Sequence, residues 1–216
     1  MKVGCRYLEN NGHAMTIKTK LSAFNIILIF FVSFLPTSVG ASGNSILISP
    51  FSDSLSIKDT DTNETSILSG LHIDGLKTLQ VMQQPVGNNN FVTPQLDVVT
   101  EYQTALNYGT IGLLAHNYLA GQYFFQISPG QNIELIYNDK TTVRFVVTQI
   151  QQYRALSQNS SASDFIDLDS GKFLTASQLF RKIYKNQTGH LVLQTCIYAD
   201  QNPTWGRLFI IAEPVE

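Results

Sequence analysis

Leu191-Val-Leu-Gln-Thr-Cys196-Ile-Tyr-Ala-Asp-Gln-Asn-Pro-Thr-Trp-Gly-Arg207-Leu-Phe-Ile-Ile-Ala212 consists of two apolar, β-rich runs separated by a turn-forming segment. Short runs of this kind, bounded by Asp, Asn, Pro and Gly, predict strands. Cys196 lies near the end of the first run and Arg207 opens the second, so a hairpin-like pairing of the two sets a thiol beside a guanidinium.

Working outward, the chain supplies more strands. Thr141 to Leu156 is a long run rich in Val, Phe, Ile and Tyr, and its apolar face shifts between Val147 and Ile150 as it would at a bulge. Thr110 to His116 is an apolar run that ends on a histidine. Gln122 to Ile127 is followed by the turn signal Pro129-Gly130 and by the run Asn132 to Tyr137, and Leu79 to Met82 precedes Pro85. Two short helices are expected among them. One lies between Pro94 and Leu106, where Leu96, Val99, Tyr102 and Leu106 recur at helical spacing. The other starts at Thr175, with Gln178 three residues on as in a capping box, and runs to about Lys185. Seven or eight strands at this spacing predict a mainly β, single antiparallel barrel or sandwich.

The 216 residues, 44% hydrophobic and 14% charged, fit one globular domain. Leu21 to Leu35 is almost wholly apolar, preceded by Lys18 and Lys20 and followed by Pro36 and the small residues Val39-Gly40-Ala41. That order is the one found in secretory signals, with a retained membrane anchor as the alternative, so the domain is expected on the extracellular face or secreted. The expected organisation is 1–41 export segment, 42–75 polar extension rich in Ser, Thr, Asn and Asp, and 76–216 barrel. Beyond Ala41 the chain keeps ten Lys and Arg against fifteen Asp and Glu, a net charge of −5, which argues against nucleic acid as a partner.

Of the two cysteines, Cys5 lies in the export segment, so no disulfide is expected within the exported domain. A cysteine acts as a nucleophile only as thiolate, and an ordinary thiol needs a nearby cation to ionise at neutral pH. Arg207 and a histidine are the candidates. His190 is six residues before Cys196 on one run, about 20 Å away along a strand, which leaves His116 as the histidine that folding can bring near. On a strand Cys196 has no helix N-terminus to help it, so a slow enzyme is expected. Each residue also has a plainer role open to it: Cys196 as a small core hydrophobe, Arg207 paired with Asp200 or Glu213, and His116 as a hydrogen-bonded loop residue.

Val-Leu-Gln-Thr-Cys at 192–196, with Arg-Leu-Phe-Ile-Ile-Ala opening the next strand and Leu-Leu-Ala-His-Asn upstream, resembles the sortase family of cysteine transpeptidases over roughly His72 to Glu216. Sortases usually show Thr-Leu-x-Thr-Cys; here Val192 takes the first position, and Ala115 stands where a glycine commonly precedes the histidine. The resemblance implies a closed antiparallel sortase-type β-barrel. It also implies Cys196 as nucleophile, His116 as general acid/base and Arg207 as stabiliser of the oxyanion and thiolate. The substrate it implies is a short sorting peptide of another exported protein, passed through a thioacyl intermediate to an amine or to water.

Thr195, Asn202 and Trp205, with Tyr198, are candidates to line the peptide groove. No cofactor is implied, although Asp164, Asp167 and Asp169 cluster on a loop with the hard oxygen ligands that calcium prefers. Set against the enzyme are a catalytically idle sortase-like barrel that binds peptide or polymer and a lipocalin-like barrel in which Cys196 is core.

Overall fold

A computed structural model describes residues 66–160 and 162–215. The expected export segment and most of the polar extension lie outside the described residues. Among the described residues ten strands are formed: β1 (Leu68–Ile73), β2 (Lys77–Gln83), β3 (Val98–Glu101), β4 (Ile111–Leu114), β5 (Asn132–Tyr137), β6 (Thr142–Ala155), β7 (Phe165–Asp167), β8 (Phe173–Leu174), β9 (Leu191–Ala199) and β10 (Asn202–Pro214). They run in the order β10-β9-β4-β3-β2-β1-β5-β6, and a further β10–β6 pairing closes these eight into a barrel, with β7 and β8 extending the sheet beyond β6.

The closed barrel is as expected in strand number, but it is mixed rather than wholly antiparallel. β2 with β3 and β4 with β9 are parallel pairs. A parallel pair needs a connection long enough to carry the chain back. The 84–97 loop does this for the first pair, and the long excursion from β4 to β9 does it for the second.

The expected helix over Pro94 to Leu106 is corrected. Val98–Glu101 is a buried strand, β3, and only Gln103–Leu106 is helical, as α1. Consecutive Val98, Val99 and Thr100 are β-branched and favour the strand, and Leu96, which suggested the helical period, is exposed. Gln122 to Ile127 is likewise no strand: Ala120–Gln126 is a 3-10 helix whose Ala120 and Phe124 plug the barrel.

The barrel also begins earlier than the expected boundary at residue 76. β1 pairs with both β2 and β5 and buries Leu68, Leu71 and Ile73. Its Ser69, Gly70 and His72 hide that pattern in the sequence.

Two apolar layers are built. Leu71, Ile73, Leu113, Phe145, Leu193 and Ile210 are among the side chains that fill the barrel interior. The lumen is therefore a packed core, and a lipocalin-like ligand cup has no room there. Outside the sheet, Tyr102, Tyr153, Ile183, Tyr184, Phe209 and Ile211 form the second layer.

β9 and β10 contribute to both layers. Leu191, Leu193, Leu208 and Ile210 point in, while Val192, Phe209 and Ile211 point out beneath the 176–185 helical segment. Burial on both faces is why these strands read as continuous apolar runs.

Local devices follow the sequence closely. In β6, Val147 and Gln149 pair with Ala212 and Ile211, so Thr148 is the extra residue of a bulge. Thr175 accepts from Gln178 N at the start of α2 (Ala176–Phe180), and the Gln178 side chain reaches back to Thr175 N in a full capping box. From Arg181 to Lys185 the helix continues as a π-turn. Replacing Thr175 by Ala should destabilise the domain by about 1 kcal/mol, read as a lower urea midpoint with an unchanged slope.

Candidate active site

The register of β9 with its neighbours assembles the site. Arg207 pairs directly with Cys196 across β10–β9, and directly paired residues point to the same face of a sheet. On the other flank, β4 runs parallel to β9 with Leu114 opposite Gln194. Ala115 then donates its N–H to Gln194 O at 3.1 Å, and Thr195 Oγ1 donates to Ala115 O at 2.9 Å. His116 follows the last β4–β9 pair by two residues, as Cys196 does, while Arg207 on β10 is paired with Cys196 itself at about one interstrand spacing, ~5 Å between backbones.

The row continues past Arg207. On β6, Tyr153 pairs with Arg207, and on β7, Asp167 pairs with Tyr153. Lys182 from the π-turn bridges these two, donating to Tyr153 Oη at 2.7 Å and lying 3.5 Å from Asp167 Oδ2. This clamp ties the helical segment to the outer face of the sheet. Beneath that segment a cavity of about 430 Å³ is lined by Arg207, Gln194, Tyr184 and Phe209 among others, and Tyr184 Oη donates to Gln194 Oε1 at 2.6 Å. Gln194, Tyr184, Tyr153 and Lys182 were not singled out from the sequence. Gln194 alone carried a signal there, since it lies two residues before Cys196 on one strand and so shares its face.

Arg207 is 5% exposed, and Nη1 donates to Thr204 O at 3.1 Å and to Gly206 O at 2.8 Å. The plainer pairing with Asp200 or Glu213 is not what these bonds show, and Glu213 instead approaches His190 at 3.8 Å. Burial lowers the Arg207 pKa to about 10, which leaves it a cation at neutral pH. A buried cation solvated by carbonyl dipoles is poised to stabilise negative charge that develops beside it.

His116 is also buried, and its ring stacks on Tyr118 with centroids 5.3 Å apart. Desolvation pulls its pKa below the ordinary histidine value, opposed by a hydrogen bond to the Val92 backbone. Its carbonyl accepts from Leu119 N and Gly121 N, both at 3.0 Å. A Cβ at Gly121 would lie 2.7 Å from that same oxygen, so the turn that holds the histidine requires glycine there.

Cys196 is 2% exposed and is disulfide-bonded in this structure. This corrects the expectation of an unmodified thiol. Cys5, the chain's other cysteine, lies outside the described residues.

Of the groove candidates, Thr195 is buried on the face opposite Cys196, where it ties β9 to the turn after β4. Asn202 donates to Gln158 Oε1 at 2.5 Å and accepts from Thr204 N at 2.8 Å. With Tyr198 it lines a second cavity, while Trp205 is half-buried and lines neither cavity.

Two of the three carboxylates offered for calcium are engaged separately. Asp164 Oδ1 accepts from Ala176 N at 3.0 Å, and Asp167 accepts from Asp169 N and Ser170 N at 3.0 and 3.1 Å. Among the described residues no group of three His, Cys, Asp or Glu side chains is placed to hold a metal.

No protein-family model and no curated protein matches the chain. Solved structures similar to it include sortases. Sortase A from Listeria monocytogenes is 12% identical with a TM-score of 0.42, over 70% of this chain and 89% of that one. Sortase A from Corynebacterium diphtheriae is 13% identical with a TM-score of 0.46, over 71% and 62% of the two chains. Sortase C from Clostridium perfringens SM101 is 15% identical with a TM-score of 0.39, over 69% and 70%. At these identities the roles of individual residues rest on the geometry of this chain.

The depressed His116 pKa carries a stability consequence. The folded state favours neutral imidazole, so the unfolded state binds more protons as pH falls below the ordinary histidine value, and stability is lost in that direction. Thermal unfolding should therefore show the melting-temperature advantage of the wild type over His116→Gln shrinking from about pH 7.5 to about pH 5. Parallel curves would show that His116 is not buried as the neutral form.

Proposed function

We propose that this chain is an exported, sortase-type cysteine transpeptidase acting on a short peptide segment of another exported protein. The observation that carries the proposal is the register that pairs Cys196 with Arg207 across β9–β10 and runs β4, the strand leading into His116, along the other side of β9. The order of the three residues along the chain and the closed mixed barrel support it. In the chemistry proposed, an external dithiol reductant first opens the disulfide at Cys196, giving its two electrons and two protons to the two cysteine sulfurs and leaving as its own disulfide.

The Cys196 thiolate then attacks a peptide carbonyl carbon, forming a C–S bond, and the Arg207 guanidinium stabilises the oxyanion. The C–N bond breaks as His116, carrying the thiol's proton, passes it to the leaving amine. An incoming amine gives its proton back to His116, displaces the thiolate and forms a new amide. Water in its place gives hydrolysis.

The depressed His116 pKa favours neutral imidazole, able to take the thiol's proton. Arg207 is the fixed cation that a strand-borne cysteine needs in place of a helix terminus. Delivery to the extracellular face, by a cleaved signal or by an anchor within 1–41, belongs to the same proposal. Among the described residues no helix is long and apolar enough to cross a membrane. The partners proposed are the substrate protein and an amine acceptor, with neither nucleic acid nor a metal cofactor required.

The disulfide at Cys196 favours one other reading, a catalytically idle barrel of this type that binds peptide or polymer. The two separate on thiol reactivity. Full-length protein under mild reductant should be labelled at Cys196 by a peptide-like electrophile, with a mass increase absent from Cys196→Ala. It should also convert members of a short-peptide library to amine adducts when an amine is supplied. His116→Ala and Arg207→Ala, checked for folding, should each lower the rate by about 10²- to 10³-fold. A reduced, folded protein whose Cys196 resists labelling would exclude the transpeptidase.

A further inference from the structure

A second cavity opens on the other side of His116, at the turn between β9 and β10. It encloses about 910 Å³, and its lining includes Asn117, Asn159, Gln201, Asn202, Tyr118 and Tyr198. No described residue lining it is charged. Its two rings are unusually open for aromatic side chains, with Tyr118 51% and Tyr198 62% exposed.

The polar atoms here are partly committed, in a way that fixes the side chains while leaving them capacity. Asn117 Nδ2 donates to Pro203 O at 3.0 Å, Asn202 donates to Gln158 Oε1 and accepts from Thr204 Oγ1 at 2.8 Å, and Asn159 Oδ1 lies 3.4 Å from that same hydroxyl. An Asn amide offers two donors and an acceptor with two lone pairs. Among the described residues Asn117 makes one side-chain bond, which leaves it a donor and its acceptor for a ligand, and the Asn159 amide keeps its donors. The Tyr118 ring is fixed on one face by the stack on His116, with planes 22° apart, which leaves the other face to a ligand.

Orientated amides without charge, set beside exposed ring faces, match a neutral ligand that presents hydroxyls at its edges and C–H groups on its flat faces. The amides would exchange hydrogen bonds with hydroxyls acting as both donors and acceptors, and the tyrosine rings would cover the C–H faces. A charged ligand would find no counter-ion. A purely apolar one would strand the amides without partners. The volume is that of a small-ligand site and suits one or two pyranose rings.

We infer that the Tyr118–Tyr198 cleft is a binding site for a neutral saccharide, placed beside His116 and two residues along β9 from Cys196. The inference does not depend on the chemistry proposed for Cys196. It assigns the cleft a ligand of its own, held within reach of whatever occupies the cysteine face.

Full-length protein is titrated with cellotetraose and with the β-1,4-linked tetramer of N-acetylglucosamine, followed by calorimetry and by the tyrosine ring signals in NMR. Saturable binding of either sugar is expected, with shifts at Tyr118 and Tyr198. Tyr198→Ala should weaken it by about ten-fold, Tyr198→Phe should retain it, and Phe173→Ala, which removes an exposed ring on β8, should leave it unchanged. Cys196→Ala should bind like the wild type, so loss of thiol chemistry and loss of saccharide binding are read separately. Absence of saturable binding for both sugars, binding undiminished in Tyr198→Ala, or tetraglycine binding at the cleft in their place would each overturn the inference.

Discussion

The structure depends on the burial of β9 and β10 on both faces. Leu191, Leu193, Leu208 and Ile210 are held in the barrel interior, and Val192, Phe209 and Ile211 under the 176–185 helical segment. Because side chains alternate along a strand, a slip by one residue would exchange the two sets and turn the Cys196 and Arg207 positions inward. Packing on both sides forbids that slip. The placement of a sulfur and a guanidinium on one face is therefore a by-product of hydrophobic burial.

Once that register is set, the flanking chains extend it into a row. Cys196, Arg207, Tyr153 and Asp167 cross four neighbouring strands, β9, β10, β6 and β7, and Lys182 closes the far end. Electrostatics along the row is shaped by exclusion of water. Arg207 stays a cation solvated by main-chain carbonyls, while burial favours the neutral imidazole of His116. In the chemistry proposed, Arg207 is the fixed positive charge and His116 the proton acceptor that a thiol nucleophile uses, and reduction of the Cys196 disulfide by an external thiol precedes it.

Strands with strong composition, the Thr148 bulge and the Thr175–Gln178 capping box were legible because each is written in adjacent residues. β3 was misread because four apolar residues at helical spacing outweighed three consecutive β-branched ones, of which only tertiary burial shows the importance. β1 was missed because Gly70 and two polar residues mask its alternation, although its backbone is needed to join β2 to β5. The two parallel pairs were out of reach, since they depend on where long connections return the chain. Of the site, the three reactive residues could be nominated from their types and order, but Gln194, Tyr184, Tyr153 and Lys182 could not. Their roles come from pairs distant in sequence.

The sequence by itself determined a β-rich domain with Cys196 and Arg207 on adjacent strands, because residue types, alternation and turn signals act over a few residues. Only the tertiary structure decided that β4, which leads into His116 eighty positions upstream of Cys196, runs beside β9 on the side away from β10. It did so because the parallel pairing of β4 with β9 is set by the closure of the whole barrel, and no local pattern of residues encodes that closure.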